Sequence, residues 1–179
     1  RSSLMTGRMP HGMGTMRNGM PVPDALLPTT IGRLLGGAGD HCAYGGKWHL
    51  PDAFEIPEGF GFEKVGPFDD LRLADGCIEY IRRDHQNPFF LVASFDNPHN
   101  ICEWARNQKM GWATIPDVPI EQAPALPANF AVPPYEPEMI RVVQQRNPKA
   151  HPTMNYDHDH WRRYRHAYFR LCEIVDAQI

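Results

Sequence analysis

The 179-residue chain has no apolar run approaching the ~20 residues needed to cross a bilayer, which excludes a membrane-spanning helix. It has no excess of positive charge. Its 18 Lys and Arg against 21 Asp and Glu give a formal net charge of −3, which argues against nucleic acid as a partner. Cysteine is sparse: Cys42, Cys77, Cys102 and Cys172 are far apart and make no C-x-x-C pair, which argues against a zinc site. About three pairings would be open to them in an oxidising compartment, and small buried hydrophobes is the reading they favour. There is no internal repeat and no low-complexity tract, and no signal peptide is visible at the start, which carries little weight in a chain that opens on Arg1. What is present is 42% hydrophobic and 22% charged residues, the balance of a soluble globular protein long enough for one domain with a real core. The first residue is Arg1, and the last four, Asp176 to Ile179, fall inside an unfinished helical pattern. Both ends read as those of an internal piece of a longer protein.

Taken in order, Ser2 or Ser3 is expected to cap a short helix with Leu4 and Met5 facing inward and Gly7 as its stop. Met9 to Pro23 reads as loop, with His11 on the surface. Thr29 or Thr30 caps a second helix with Ile31, Leu34 and Leu35 inward, and Gly36, Gly37 and Gly39 end it. Cys42-Ala43-Tyr44 is a short strand, and 51–68 a Pro/Gly/Phe-rich loop. A stronger helix starts at Asp69 or Asp70; Leu71, Leu73, Ala74, Cys77, Ile78 and Ile81 form its apolar face, and Arg82 and Arg83 stand near its end. After the break at Asn87-Pro88, Phe89 to Phe95 is a continuous apolar run suited to a parallel strand buried on both faces. Helix feeding strand predicts an α/β fold, a mostly parallel sheet flanked by helices. Ile101 to Arg106 suits a short helical turn. Residues 110–153, rich in proline, read as a loop, lid or insertion. Asp157-His158-Asp159-His160 resembles a metal motif but lies where a helix cap belongs, and the cap is preferred. Trp161, Tyr164, Tyr168, Leu171 and Val175 mark one face of the last helix.

The chemistry concentrates in two stretches. In Gly45-Gly46-Lys47-Trp48-His49-Leu50-Pro51, a cation and an imidazole stand two residues apart. If extended, they point to one side and could reach one anion, while the glycines permit close backbone approach. The position, at a strand's C-terminal end, is where open α/β sheets bind ligands. Asp96-Asn97-Pro98-His99-Asn100 repeats the arrangement after the next strand, with Glu103 and Trp104 following.

Together these stretches resemble the sulfatases, hydrolases of the alkaline-phosphatase superfamily that use a formylglycine. The family's first signature is Cys-x-Pro-Ser-Arg, two free positions, two apolar residues and Thr-Gly. Arg1-Ser2-Ser3-Leu4-Met5-Thr6-Gly7 matches the half from the arginine onward. The second signature is a Gly-led segment ending in Gly-Lys-x-His, matched in frame by Gly39 through Gly46-Lys47-Trp48-His49. It departs at Asp40, where the family prefers an aromatic residue or Val, at Cys42, where it prefers Ser or Thr, and at Gly45. The third element, a buried strand ending in Pro-His, matches Phe89 to His99.

The resemblance implies that residues 1–179 are the central part of one sulfatase catalytic domain, incomplete at both ends. It implies a formylglycine just before Arg1 and a Ca2+ bound by residues outside this chain, with no metal ligand within it. Arg1 would hold the formylglycine region and Lys47 would bridge it to a sulfate oxygen. His49 would accept a proton, and His99 would contact sulfate and protonate the leaving group. Asn97, Asn100 and Trp104 would line the substrate, a sulfate ester that family habit makes a sulfated polysaccharide. The family also suggests a periplasmic, secreted or lysosome-like location. Two alternatives stay open: a phosphate or phosphonate ester hydrolase of the same superfamily, and a non-catalytic anion-binding remnant.

Overall fold

The computed structural model of the protein describes residues 1–50, 58–146 and 152–179. They divide into two compact units, Arg1–Asp96 and Asn97–Ile179. Among the described residues no helix is long and apolar enough to cross a membrane.

The first unit runs through α1 (Ser2–Thr6), α2 (Pro10–Met13), α3 (Ile31–Ala38), β1 (His41–Gly46), β2 (Glu63–Gly66), α4 (Leu73–Ile81) and β3 (Phe89–Ser94). The three strands are parallel in the order β2-β1-β3, with His41 opposite Phe89 and Gly46 opposite Ser94. The chain is thus α/β with a parallel sheet and flanking helices, as its apolar runs predict. β1 is the middle strand and is buried from Cys42 to Gly46. β3 is only half-buried, contrary to expectation, because among the described residues it has a strand on one side alone. β2 falls inside the stretch expected to be loop; it has four residues and pairs mostly through its backbone. The first seven positions of that stretch, 51–57, lie outside the described residues.

Cys42 and Tyr44 on β1 join an aromatic cluster with Trp48, Phe60 and Phe62. The rings of Tyr44 and Trp48 meet edge-on at 4.8 Å between centroids, and Trp48 meets Phe60 at 5.2 Å. Such contacts favour edge against face, as their quadrupoles require. Gly45 looks instead to α4: a Cβ there would stand 2.6 Å from a Leu73 methyl. At Gly46, φ is 83° and a Cβ would lie 2.8 Å from the other Leu73 methyl. The two glycines therefore let Leu73 seat directly on the strand, where its full burial contributes about 2 kcal/mol.

Several expected apolar faces are narrower than the periodicity suggests. In α1 only Met5 is buried and Leu4 is exposed, since one turn offers a single inward position. The N-cap of α1 is Arg1, not Ser2 or Ser3. Leu34 of α3 is exposed. On α4, Leu73, Cys77 and Tyr80 are buried, while Leu71, Ile78 and Ile81 face out. Tyr80 takes the place expected of the aliphatics, donating its hydroxyl to the His41 carbonyl at 3.3 Å.

The second unit carries α5 (Ile101–Ala105), α6 (Glu138–Arg146) and α7 (His158–Asp176). Its core is Ile101, Ala167 and Leu171, with Trp104 and Tyr164 packed against them. Tyr168, expected inward, is exposed, and Ala167 takes the inner position. Asp157 caps α7 as expected, accepting the His160 backbone N–H at 2.8 Å. The Pro-rich 110–153 stretch contains a helix the sequence did not suggest, α6, and a 3₁₀ turn at Ile120–Gln122. Backbone carbonyls of this stretch become acceptors for α7: Arg162 donates to the Ala123 carbonyl at 2.7 Å and to that of Pro124 at 3.3 Å, and Arg163 to that of Val118 at 2.8 Å. The part of that stretch from 147 to 151 lies outside the described residues.

Candidate functional site

The C-terminal ends of β1 and β3 gather the charged groups of the first unit. β1 stops at Gly46, so Lys47 is not in a strand, but its N–H still pairs with the Ser94 carbonyl at 2.7 Å. From there burial alternates: Lys47 half-buried, Trp48 buried, His49 exposed, Leu50 buried. The extended backbone expected to point Lys47 and His49 to one side is not kept, because His49 takes a left-handed φ of 55°.

Arg1 stands over the same corner. Its guanidinium donates to the Tyr44 hydroxyl at 2.6 Å, to Ser94 Oγ at 2.9 Å and to the Lys47 carbonyl. The Tyr44 hydroxyl donates in turn to the Lys47 carbonyl at 2.8 Å. One carbonyl thus has two donors, and the backbone of Lys47 is tied to a neighbouring helix start and to both strands.

The ammonium is tied as well. Lys47 Nζ donates to Asp96 Oδ1, with the two side chains 15% and 7% exposed. The Asp96 backbone N–H donates to Asp70 Oδ1 at 2.7 Å. α4 starts at Leu73 with Arg72 at its N-cap, so neither Asp69 nor Asp70 is the cap the sequence suggests; Asp69 accepts the Leu71 N–H on its side chain at 3.0 Å in the turn before the helix, and Asp70 is 1% exposed. A pair this shielded resists salt screening, and removal of one partner would leave the other charged and buried.

Four residues of this corner escaped the sequence reading: Tyr44, Ser94, Asp70 and Asp96. Asp96 stands in the polar run that was singled out, but no period or spacing ties it to Lys47. Tyr44 reads as an ordinary strand aromatic, and only the structure shows where its hydroxyl points.

The remaining expected residues belong to the second unit. His99 is exposed. Asn97 and Asn100 are buried, and Asn100 Nδ2 donates to the Gly111 carbonyl at 2.7 Å. The bond between Asn97 and Pro98 is cis. Trp104 is half-buried, its ring edge-on to Tyr164 at 5.9 Å. It therefore packs in the core of this unit.

The cysteines are free thiols; Cys42 and Cys77 are buried, Cys102 and Cys172 half-buried. Burial pushes the thiols of Cys42 and Cys77 above their usual range, away from the thiolate that a nucleophile needs. Among the described residues, no group of three His, Cys, Asp or Glu side chains could hold a metal ion. Asp96 and Asp70 are already engaged by Lys47 and by backbone. The calcium implied by the resemblance does not fit on these residues.

No family model matches the chain. Over its whole length it is 24% identical to the Delta 4,5-hexuronate-2-O-sulfatase of Bacteroides thetaiotaomicron, of which it covers 40%. A solved structure of a 2-O GAG sulfatase superposes on 99% of the chain with a TM-score of 0.76 at 21% identity. The chain covers 41% of that structure. A second, a Bacteroides thetaiotaomicron protein assigned by name to the sulfatases, superposes with a TM-score of 0.75 at 22% identity. The chain thus spans about two-fifths of the length of the relatives it matches.

Proposed function

Starting from a chain whose relatives are sulfatases and which carries part of their fold, we propose that it is the central part of a sulfatase. The parent would hydrolyse sulfate esters of a glycosaminoglycan, with a 2-O-sulfated hexuronate as the favoured residue. The observation that carries this reading is the corner in which Arg1 holds the carbonyl of Lys47 at the C-terminal ends of two parallel strands.

A sulfate monoester carries one negative charge over three oxygens. Breaking its ester bond sends charge onto the leaving oxygen, so the site must offer positive charge and a proton. Arg1 and Lys47 supply the positive charge. Both are held by neighbours before any substrate arrives, so little reorganisation is needed. His49, exposed beside Lys47, accepts a proton; an imidazole titrates near neutrality and suits the task. His99 contacts sulfate and protonates the departing alkoxide. Asn97, Asn100 and Trp104 line the substrate, Trp104 through whatever part of its ring the core leaves open. The formylglycine and calcium of the family belong to residues other than these.

The test is turnover of an aryl sulfate and of a 2-O-sulfated unsaturated disaccharide by the full-length parent. Lys47→Ala and His99→Ala are each expected to lower kcat by about 100-fold or more, with the circular dichroism of the fold retained. Turnover within a few-fold of wild type in either variant would remove that residue from the mechanism.

A further inference from the structure

We infer that Asp96 sets the charge selectivity of this site, favouring a monoanionic ester over a dianionic one. The inference rests on the sulfate-ester reading above and adds to it a reason why phosphate is refused.

Sulfate and phosphate monoesters present similar tetrahedra of oxygens. At neutral pH they differ chiefly by one unit of charge: a sulfate monoester is a monoanion and a phosphate monoester largely a dianion. Size and hydrogen-bond geometry separate them poorly, so discrimination must come from the field of the protein.

Asp96 supplies such a field. Its Oδ1 accepts directly from Lys47 Nζ, so any ester oxygen gripped by that ammonium lies close to the carboxylate. Asp96 is 8% exposed, and water screens the repulsion little. Asp70 stands directly behind it, 1% exposed and accepting the Asp96 backbone N–H at 2.7 Å. The corner therefore sets two cations, Arg1 and Lys47, against the carboxylate of Asp96. A bare pair of cations would favour the dianion; with one of them offset by Asp96, the set matches a single negative charge and resists the second. Lys47 alone would also be freer to swing, so Asp96 fixes the ammonium as well as offsetting it.

The neutral variant Asp96→Asn keeps shape and an oxygen for Lys47 while removing the charge. It is to be compared with wild type in the full-length parent, using 4-nitrophenyl sulfate and 4-nitrophenyl phosphate. The quantity read is the ratio of their kcat/KM values, in which a general loss of activity cancels. The phosphate-to-sulfate ratio is expected to rise about tenfold or more, the consequence of removing a like charge roughly 5 Å away. Asp96→Glu, which restores the charge, is expected to return the ratio toward wild type. An unchanged ratio, or one moving toward sulfate, overturns the inference. Asp96→Ser is the second neutral variant and is read the same way. If neither neutral variant folds, Asp96 serves stability alone and the inference is overturned.

Should the wild-type parent turn over neither ester, the sulfatase reading fails by itself. The ratio of calorimetric Kd values for the two esters then decides on Asp96 by the same criterion, and binding of neither overturns both.

Discussion

Tyr44 serves two charged neighbours with one hydroxyl: it accepts from Arg1 at 2.6 Å and donates to the Lys47 carbonyl at 2.8 Å. Its ring is buried among Trp48 and Phe62, so the oxygen is held in place by the core. Tyr44→Phe keeps the ring and deletes the bridge. Loss of the two bonds should cost about 1–2 kcal/mol, lowering Tm by roughly 1–2 °C in a thermal melt of the parent. kcat should fall with KM little changed, because the carbonyl of Lys47 loses one of its donors while the ammonium stays on Asp96. An unchanged melting temperature and unchanged kcat would make the hydroxyl a bystander.

At the scale of elements, the ends of α7 and β1 show what each can be asked to do. Asp157 accepts the His160 N–H and its ring nitrogen, and these bonds hold its carboxyl below the ordinary value of 3.8. The backbone bond is the larger cause and the imidazole the lesser. A carboxyl lowered on folding stabilises above its unfolded pKa, and that contribution is lost as pH falls through the folded value. The first turn of α7 should therefore fray on acidification below the usual carboxylate range, seen as faster amide exchange at Asp159 to Trp161. Asp157→Asn, which still caps, should remove most of that pH dependence; an undiminished dependence would point to another group.

The same elements show what a linear reading can reach. The cap at Asp157, the strand through Ala43 and Tyr44 and the helix around Cys77 were legible, because caps and periods are local. The narrow apolar face of α4 was not: Leu71, Ile78 and Ile81 obey the period as well as Leu73 does, and only the glycine floor of β1 selects Leu73. β2 was lost because four residues between glycines carry too little pattern to register. Arg1, Lys47, His49 and His99 stand in motifs, whereas Asp96 meets Lys47 across 49 positions of chain and Asp70 meets Asp96 across 26. No local signal marks such a pairing.

For the whole molecule, the middle strand is well covered and the edge strand β3 is not, with Phe89 exposed and its outer side without a strand among the described residues. The chain also spans about two-fifths of its relatives. The proposed reading therefore predicts that the 179 residues alone give no turnover of an aryl sulfate with calcium present, whereas the full-length parent does. Metal-dependent turnover by the isolated chain would contradict it.

The alternation after β1 has one more consequence. Trp48 and Leu50 are sealed in the core while Lys47 keeps its ammonium on Asp96 and His49 is exposed. Deleting or adding a single position after Gly46 would trade their places, driving an ammonium into an aromatic nest and lifting an indole into water. Loop length here is therefore locked by solvation, and drift among descendants of this gene should spare that spacing even where it rewrites the letters around it.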